Sequence, residues 1–221
     1  MKTIVLALAG LLLGIVGCAT QEKRAVAPVN PLIEKAVREK LGNPTGELTK
    51  ADFARIRDLN LSRKQLTDVN GLEKLTNLTH LDLAENQLTD VDGLEKLTKM
   101  THLGVNDNRL TDVKGLEKLT KMTHLGLHNN RLTDVKGLEK LTNLTYLDLA
   151  ANQLTNVKGL EKLTQLTELH LSVNRLTDVK GLEKLTQLNV LYLRNNSGLT
   201  QADIAALQLA LPKFKIEHDA K

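Results

Sequence analysis

One eleven-residue phrase, LTDVKGLEKLT, constrains the fold of this chain more than any other feature of its sequence. The phrase occurs unchanged at 110–120, 132–142 and 176–186, and variants with one substitution each occupy 66–76, 88–98 and 154–164. The copies repeat with a period of 22 residues. A tandem repeat of this length is typical of a solenoid, in which one coil cannot bury its apolar face without a neighbour on which to stack.

Each unit contains a segment of the form LxxLxLxxNxL, and the units run over 56–77, 78–99, 100–121, 122–143, 144–165 and 166–187, with a partial unit from 188. In the second unit this segment comprises Leu78, Leu81, Leu83, Asn86 and Leu88. The alternation in its centre predicts a short strand with leucines on one face and variable residues on the other. Strands of this kind, one per unit, stack in parallel into a single sheet.

On these residues the chain resembles bacterial leucine-rich-repeat proteins of the internalin type, over residues 56–199. The resemblance implies an α/β solenoid: a curved rod with short parallel strands on its concave face and helical caps at both ends. The aromatic content of only 2% suits such a fold, because regular coils can be packed with aliphatic side chains alone. A fold of this kind does not by itself define a function.

Two columns of identical residues are predicted to mark the turns of the coil. The glycine before each LEK triplet is expected at a turn that favours its flexible backbone. A buried amide can both donate and accept hydrogen bonds, and a turn beside a short strand leaves backbone groups in need of partners. We therefore expect a structural ladder that joins the turns of adjacent coils, formed by Asn86, Asn108, Asn130, Asn152, Asn174 and Asn196.

The open ends of the stack need covers that differ from the repeated coil. Residues 30–55 are predicted to form an N-terminal helical cap, with one helix that opens at Asn30 and a second that begins with a capping box at Thr49. Residues 200–221 are predicted to form a C-terminal cap, in which a helix with a capping box at Thr200 precedes an edge strand.

The N-terminus has the pattern of a signal peptide. Residues 1–17 contain a basic start and an uncharged run, TIVLALAGLLLGIVG, that is too short to span a bilayer comfortably. The run ends in IVGC, which resembles the lipobox of bacterial lipoproteins, and this resemblance implies that Cys18 is lipidated. A plain secretory signal cleaved nearby is the alternative. Cys18 is the only cysteine, so an intrachain disulfide is excluded.

A lipidated Cys18 predicts where the protein resides. Residues 18–29 then form a polar tether that holds the folded part away from the membrane. The predicted location is the bacterial cell envelope, with the folded part facing the periplasm or the exterior. Ala19 is not the Asp that retains many such lipoproteins at the inner membrane, so the resemblance favours the outer membrane if the cell is Gram-negative.

The repeats differ from one another on the solvent side of the strands, while the opposite side keeps the repeated phrase. Five of the six histidines and six carboxylates occupy these variable columns, with only two arginines. This composition predicts a monomer that binds another protein with a basic or donor-rich surface and needs no cofactor. The predicted partner-binding residues are His80, Asp82, Glu85, His102, Asp107, His124, His128, Tyr146, Asp148, Glu168, His170 and Tyr192.

Other functions account for fewer of these features. The ladder of His80, His102 and His124 could chelate zinc or nickel or respond to pH, although hydrated histidines also suit exposed strands. The sequence has no nucleophile elbow, no cysteine nucleophile in the repeats and no HExxH helix, so we do not predict an enzyme.

An envelope spacer without a specific ligand is a further alternative. The formal net charge of +4, with Lys interspersed with Glu and Asp, does not suggest a nucleic-acid partner.

Overall fold

A computed structural model describes residues 29–221. The predicted signal peptide, Cys18 and all but the last residue of the predicted tether lie outside the described residues. Within the described range, no helix combines the length and the apolar character that crossing a membrane requires.

The repeats form one sheet of eight parallel strands that follow one another in chain order. Adjacent repeat strands pair 22 residues apart, so that Leu81 lies opposite Leu103 and Leu103 opposite Leu125. Equivalent residues of neighbouring coils are therefore stacked directly on one another. The strands are β1 (Asp58–Asn60), β2 (His80–Asp82), β3 (His102–Gly104), β4 (His124–Gly126), β5 (Tyr146–Asp148), β6 (Glu168–His170), β7 (Val190–Tyr192) and β8 (Lys215–Glu217).

The return path of each coil contains one turn of 3-10 helix. The glycine in front of each turn adopts a left-handed backbone with φ of 88–106°. Its N–H donates to the glutamate two residues later, as in the 2.7 Å bond from Gly71 to Glu73. The repeated GLE triplet is thus a closed local turn. The 3-10 helices are Leu72–Lys74, Leu94–Lys96, Leu116–Lys118, Leu138–Lys140, Leu160–Lys162 and Leu182–Lys184.

The core is a continuous row of stacked aliphatic side chains. Leucines from the strands, the turns and the return segments are almost all inaccessible to solvent, and Met100 and Met122 take the place of leucine in two coils. Burial of a leucine side chain stabilises the fold by about 1.5–3 kcal/mol, so most of the stability comes from contacts between coils. The predicted fold class, a curved leucine-rich-repeat solenoid, is confirmed.

Both ends of the stack are covered by helices. Helix α1 (Pro31–Lys40) packs beside β1, and its N-cap Asn30 accepts a hydrogen bond from the N–H of Leu32. Helix α2 (Lys50–Arg55) and helix α3 (Gln201–Ala210) both begin with a capping box in which a threonine and an aspartate exchange hydrogen bonds. Strand β8 follows α3 and pairs with β7 as the last strand of the sheet.

The asparagine column joins each coil to the one before it. The Oδ1 of Asn130 accepts a 3.0 Å bond from the N–H of Leu110 in the preceding coil. Its Nδ2 donates to the carbonyl oxygens of Val105 at 2.9 Å and Leu127 at 3.1 Å. Asn130 is buried and would be costly there without these partners. The pattern recurs along the column, so the buried turns are satisfied by side chains of the adjacent coil.

A second column, immediately before the asparagine column, carries backbone strain that its residue types do not indicate. The residue before each column asparagine adopts a left-handed conformation, with φ between 51° and 59°. Asparagine and aspartate tolerate this region, whereas a β-branched side chain there is a true outlier. The column contains one such residue, Val173, which is also 49% exposed to solvent. The full column is Arg63, Glu85, Asp107, Asn129, Ala151, Val173 and Asn195.

Replacement of Val173 by asparagine should stabilise the protein, because asparagine already occupies the same position as Asn129 and Asn195. We expect the free energy of unfolding to rise by about 1 kcal/mol, the typical penalty of a left-handed backbone for an L-residue. Urea unfolding of the full chain measures this change. Val173→Thr is the matched control, since it adds polarity but keeps the β-branch. An equal gain in both variants would show that polarity, not backbone strain, is responsible.

Candidate functional site on the concave face

Nine of the twelve predicted partner-binding residues lie in the strands of the sheet, and Glu85, Asp107 and His128 lie in the segments that follow the strands. In each strand from β2 to β7 the central leucine is buried, and its two neighbours are partly or fully exposed. None of the twelve residues is buried. The concave surface is therefore available for contact without any rearrangement of the core.

Six of these residues form one continuous row of rings along the sheet. His80, His102 and His124 are stacked with centroids 4.3 Å apart, and Tyr146 continues the stack at 6.0 Å from His124. The row then crosses to the neighbouring column, where His170 lies 5.5 Å from Tyr146 and 4.4 Å from Tyr192. The chain has only two tyrosines, and both are in this row.

Threonines next to the three stacked histidines fix the position of the ring proton. The hydroxyl of Thr101 donates to the carbonyl oxygen of Thr79 at 3.0 Å, and the same hydroxyl lies 2.9 Å from Nδ1 of His102. We assign the single proton of the hydroxyl to the carbonyl, which can only accept, and with this assignment the ring donates through Nδ1–H. Thr79 beside His80 and Thr123 beside His124 show the same arrangement.

The neutral histidines are therefore in the tautomer whose Nε2 atom carries a free lone pair. Among residues 29–221, no group donates a hydrogen bond to Nε2 of His80, His102 or His124. His80 and His124 are exposed, and His102 between them is half-buried. The N-terminal half of the concave face thus presents three identical acceptors in a row.

Stacking makes protonation of the central ring unfavourable. Burial, followed by the charges of His124 and His80, lowers the pKa of His102 below its ordinary value. The rings lie nearly parallel, with interplanar angles of 15° and 12°, so they do not converge on a common point. In the described part of the chain, no three His, Cys, Asp or Glu side chains are placed so that they could hold a metal ion. The geometry gives no support to a metal site at the ladder.

Three of the six concave carboxylates already have a partner within the protein, which is a cation for two of them and a histidine for the third. Asp58 contacts Lys40 of α1, Glu85 contacts Arg63 at 2.5 Å, and Glu168 contacts His170 at 2.6 Å. The hydrogen bond from Arg63 lowers the pKa of Glu85. Within the described residues, the three carboxylates that have no ion-pair partner are Asp82, Asp107 and Asp148.

The ladder of histidines, together with Asp58 and Asp82, lines a shallow depression of about 590 Å³ in the sheet surface. Its floor includes Gly104 and Gly126, which occupy a column where other coils have a side chain. Asp82 lies in register with Gly104 on one side, and Asp148 with Gly126 on the other. The amide of Asn106 covers Gly126, and a Cβ atom there would lie 2.7 Å from its Oδ1. Gly126 thus makes room for the Asn106 side chain, and a Cβ atom at Gly104 would lie in ordinary contact with Oδ1 of Asp82, at 3.4 Å.

Three threonines beside the ladder were not predicted from the sequence, and one predicted residue, His128, does not join the row of rings. The sequence does not distinguish Thr79, Thr101 and Thr123, because Thr145 and Thr167 occupy the same column in coils where the next residue is not a histidine. His128 lies outside the ring row, where its backbone N–H donates to Asn106. Tyr146 joins the row, and its burial, with nearby carboxylates, raises its pKa.

The tautomer assignment can be checked by nuclear magnetic resonance. Long-range proton–nitrogen correlation spectra at about pH 8 should show His80, His102 and His124 protonated at Nδ1, and the pKa of His102 should lie below the ordinary histidine value. Thr101→Val removes the acceptor and should release His102 alone from this tautomer. Protonation of all three rings at Nε2 in the wild type would contradict the assignment.

Comparison with solved structures identifies similar proteins. An internalin, InlC2, from Listeria monocytogenes is 30% identical with a TM-score of 0.80, and the alignment covers 86% of this chain and 85% of that chain. InlF, an internalin from the same organism, is 28% identical with a TM-score of 0.78. The functional domain of InlJ from Listeria monocytogenes, described as including a cysteine ladder, is 28% identical with a TM-score of 0.71.

The extent of these similarities differs between the three proteins. The alignment with InlF covers 86% of this chain but 57% of that chain, and the alignment with InlJ covers 86% and 41%. No curated protein sequence matches the chain. The family model for leucine-rich repeats in two copies matches residues 54–96, 76–118, 98–136, 120–162 and 164–207, which is more than half of the sequence. The chain therefore belongs to the leucine-rich-repeat family, and its repeats are of the internalin type.

Proposed function

We propose that this protein is a lipid-anchored, non-enzymatic component of the bacterial cell envelope that binds another protein through its concave face. The observation that carries the proposal is the row of six rings on the solvent side of the sheet. In a chain with two tyrosines and no tryptophan, both tyrosines lie in this row rather than in the core. Tyrosine is enriched among the residues that dominate binding energy at protein interfaces.

The distribution of sequence differences supports the same function. The return segments repeat LTDVKGLEKLT almost unchanged, whereas the strand positions that face solvent differ from coil to coil. Packing of the core requires the solvent-facing side chains neither to stay constant nor to vary, because they are not part of the core. The strained and exposed Val173 also adds apolar surface to this face at a cost in stability. The left-handed backbone is common to the whole column, so it is the β-branched valine at this position, not the conformation, that the fold does not require.

A binding role suits the site better than catalysis. The histidines of the ladder bond through Nδ1 to threonine hydroxyls whose protons are donated to backbone carbonyls. These hydroxyls are therefore not oriented for activation by the imidazole as nucleophiles. The depression is open and lies on a flat row of side chains, whereas small-molecule sites are usually enclosed.

The concave face can be tested by chemical crosslinking of the full-length protein in its own cells, followed by mass spectrometry of captured proteins. We expect a captured set that is lost when four concave rings are replaced, because these rings supply the contact area. The concave variant combines His124→Ser, Tyr146→Ser, His170→Ser and Tyr192→Ser.

The matched control changes the same number of exposed side chains on the opposite side. It combines Lys114→Ser, Lys136→Ser, Lys158→Ser and Lys180→Ser, at one equivalent position in four coils. Capture should be retained in this control. If both variants capture the same proteins as the wild type, the concave face does not bind a specific partner, and the protein is better described as an envelope spacer.

The lipid anchor is tested separately from the binding face. Cys18→Ala should abolish incorporation of labelled palmitate and move the protein from the membrane pellet to the soluble fraction, because acyl chains provide the attachment. Thr20→Ala, two residues away, is the control and should remain labelled and membrane-bound. A Cys18→Ala protein that still sediments with membranes would contradict the predicted anchor.

A further inference from the structure

The ladder of His80, His102 and His124 remains without a role in the fold. The three rings do not belong to the buried hydrophobic core, and the threonines beside them donate to backbone carbonyls without involving the imidazoles. In the following coils, Thr145 and Thr167 make the same backbone bonds beside Tyr146 and Glu168. The imidazoles are therefore additions to a structure that is complete without them.

The chemistry of this half of the concave face is dominated by acceptors. Each neutral ring presents an Nε2 lone pair, because its proton is held at Nδ1 by the threonine. Asp82 and Asp148, which have no ion-pair partner among the described residues, lie on either side of the two glycine positions. The amide of Asn106 is the donor closest to this gap. A ligand that fits must bring many donors and positive charge.

We propose that the N-terminal half of the concave face is a docking site for a basic segment of the partner protein, whose Lys or Arg side chains donate to the histidine Nε2 atoms and the free carboxylates. This inference rests on the proposed function, and it specifies the chemistry of the partner. Lysine and arginine carry donors and no acceptors, so they match this surface without leaving an unpaired group. A saccharide matches this surface less well, because each hydroxyl would place an acceptor oxygen against the acceptors of the protein and would bring no positive charge.

The spacing of the row also suits an extended peptide. The three rings follow one another in steps of 4.3 Å. Side chains on one face of an extended peptide recur about every 6.6 Å, so two successive basic side chains can both reach the row. The depression lined by the ladder leaves space for the peptide to approach the sheet.

Protons and a basic segment compete for the same lone pairs. Protonation converts Nε2 from an acceptor to a charged donor, which repels a cation. The groups that face the row are Asp58 with Lys40 on the side of β1, Asp82 on β2, and Tyr146 and Asp148 on β5. Carboxylates, lysine and tyrosine do not ordinarily change charge between pH 5.5 and 7.5, so binding changes in that window report on histidine. Affinity for a basic segment should therefore fall as the pH falls.

The test measures binding of nona-arginine to the full chain by calorimetry at pH 7.5 and pH 5.5 in buffers of equal ionic strength. We expect binding at pH 7.5 and an affinity weaker by about tenfold in total at pH 5.5, because a protonated imidazole no longer accepts a hydrogen bond. The variant His80→Gln, His102→Gln, His124→Gln keeps an amide acceptor that does not titrate. It should bind at pH 7.5 and lose the dependence on pH. A dependence that persists in this variant would assign the effect to other histidines and overturn the proposal.

A matched pair of aspartate variants tests the location. Asp82→Asn, Asp148→Asn removes the two free charges, and Asp112→Asn, Asp134→Asn removes two on the return segments. All four aspartates accept the N–H of the residue two positions later, which asparagine can also do, so this turn bond is retained in both variants. We expect weaker binding only in the first variant. Equal weakening in both would show non-specific attraction and overturn the proposal.

The remaining outcomes separate this inference from the proposed function. Nona-glutamate and maltoheptaose should not bind, and binding of maltoheptaose in place of nona-arginine would assign the site to a saccharide. If nona-arginine does not bind while the ring variants still lose their crosslinked partners in cells, the partner is not basic and only this inference fails. If crosslinking also shows no dependence on the concave face, the proposed function fails with it.

Discussion

Every coil of this protein depends on direct stacking upon an equivalent coil. Strands pair at a constant offset of 22 residues, so leucine meets leucine and each column asparagine bonds the backbone of the coil before it. A coil that stands alone would leave both its hydrocarbon and its buried backbone groups unsatisfied. The same requirement explains why the repeated phrase hardly changes, since each copy must fit the one beside it. It also explains the two ends, where helices replace the missing neighbour.

The columns that contact the next coil were predictable because their constraint is repeated in the sequence. Leucine spacing alone indicates the strand, its inward face and the parallel stack, and the buried asparagines follow from the need of turns for an amide. The features that sequence reasoning missed arise between residues of different columns. The pairing of Asp58 with Lys40, for example, depends on where α1 lies beside β1. The left-handed backbone at Val173 was equally hidden, because its column contains residue types with no common preference.

The candidate site was likewise predictable from the sequence only in part. The solvent-facing columns could be identified by comparing the repeats, and the structure places their residues on one exposed surface. The sequence places six carboxylates there, but Lys40 and Arg63 neutralise two of them and His170 contacts a third. Charge counts therefore overstate the attraction for cations. The direction in which the imidazoles can bond depends on threonine hydroxyls, and their role became visible only from the hydrogen bonds they make.

The exact 22-residue register has a consequence for how this surface can evolve. Near-identical copies of one phrase within a gene are substrates for unequal crossing-over, which inserts or deletes whole multiples of the unit. Each such event preserves every stacking contact, because the coils on either side of the join still meet an equivalent neighbour. The row of rings on the concave face can therefore be lengthened or shortened by one ring at a time, without any change in the packing of the hydrocarbon core.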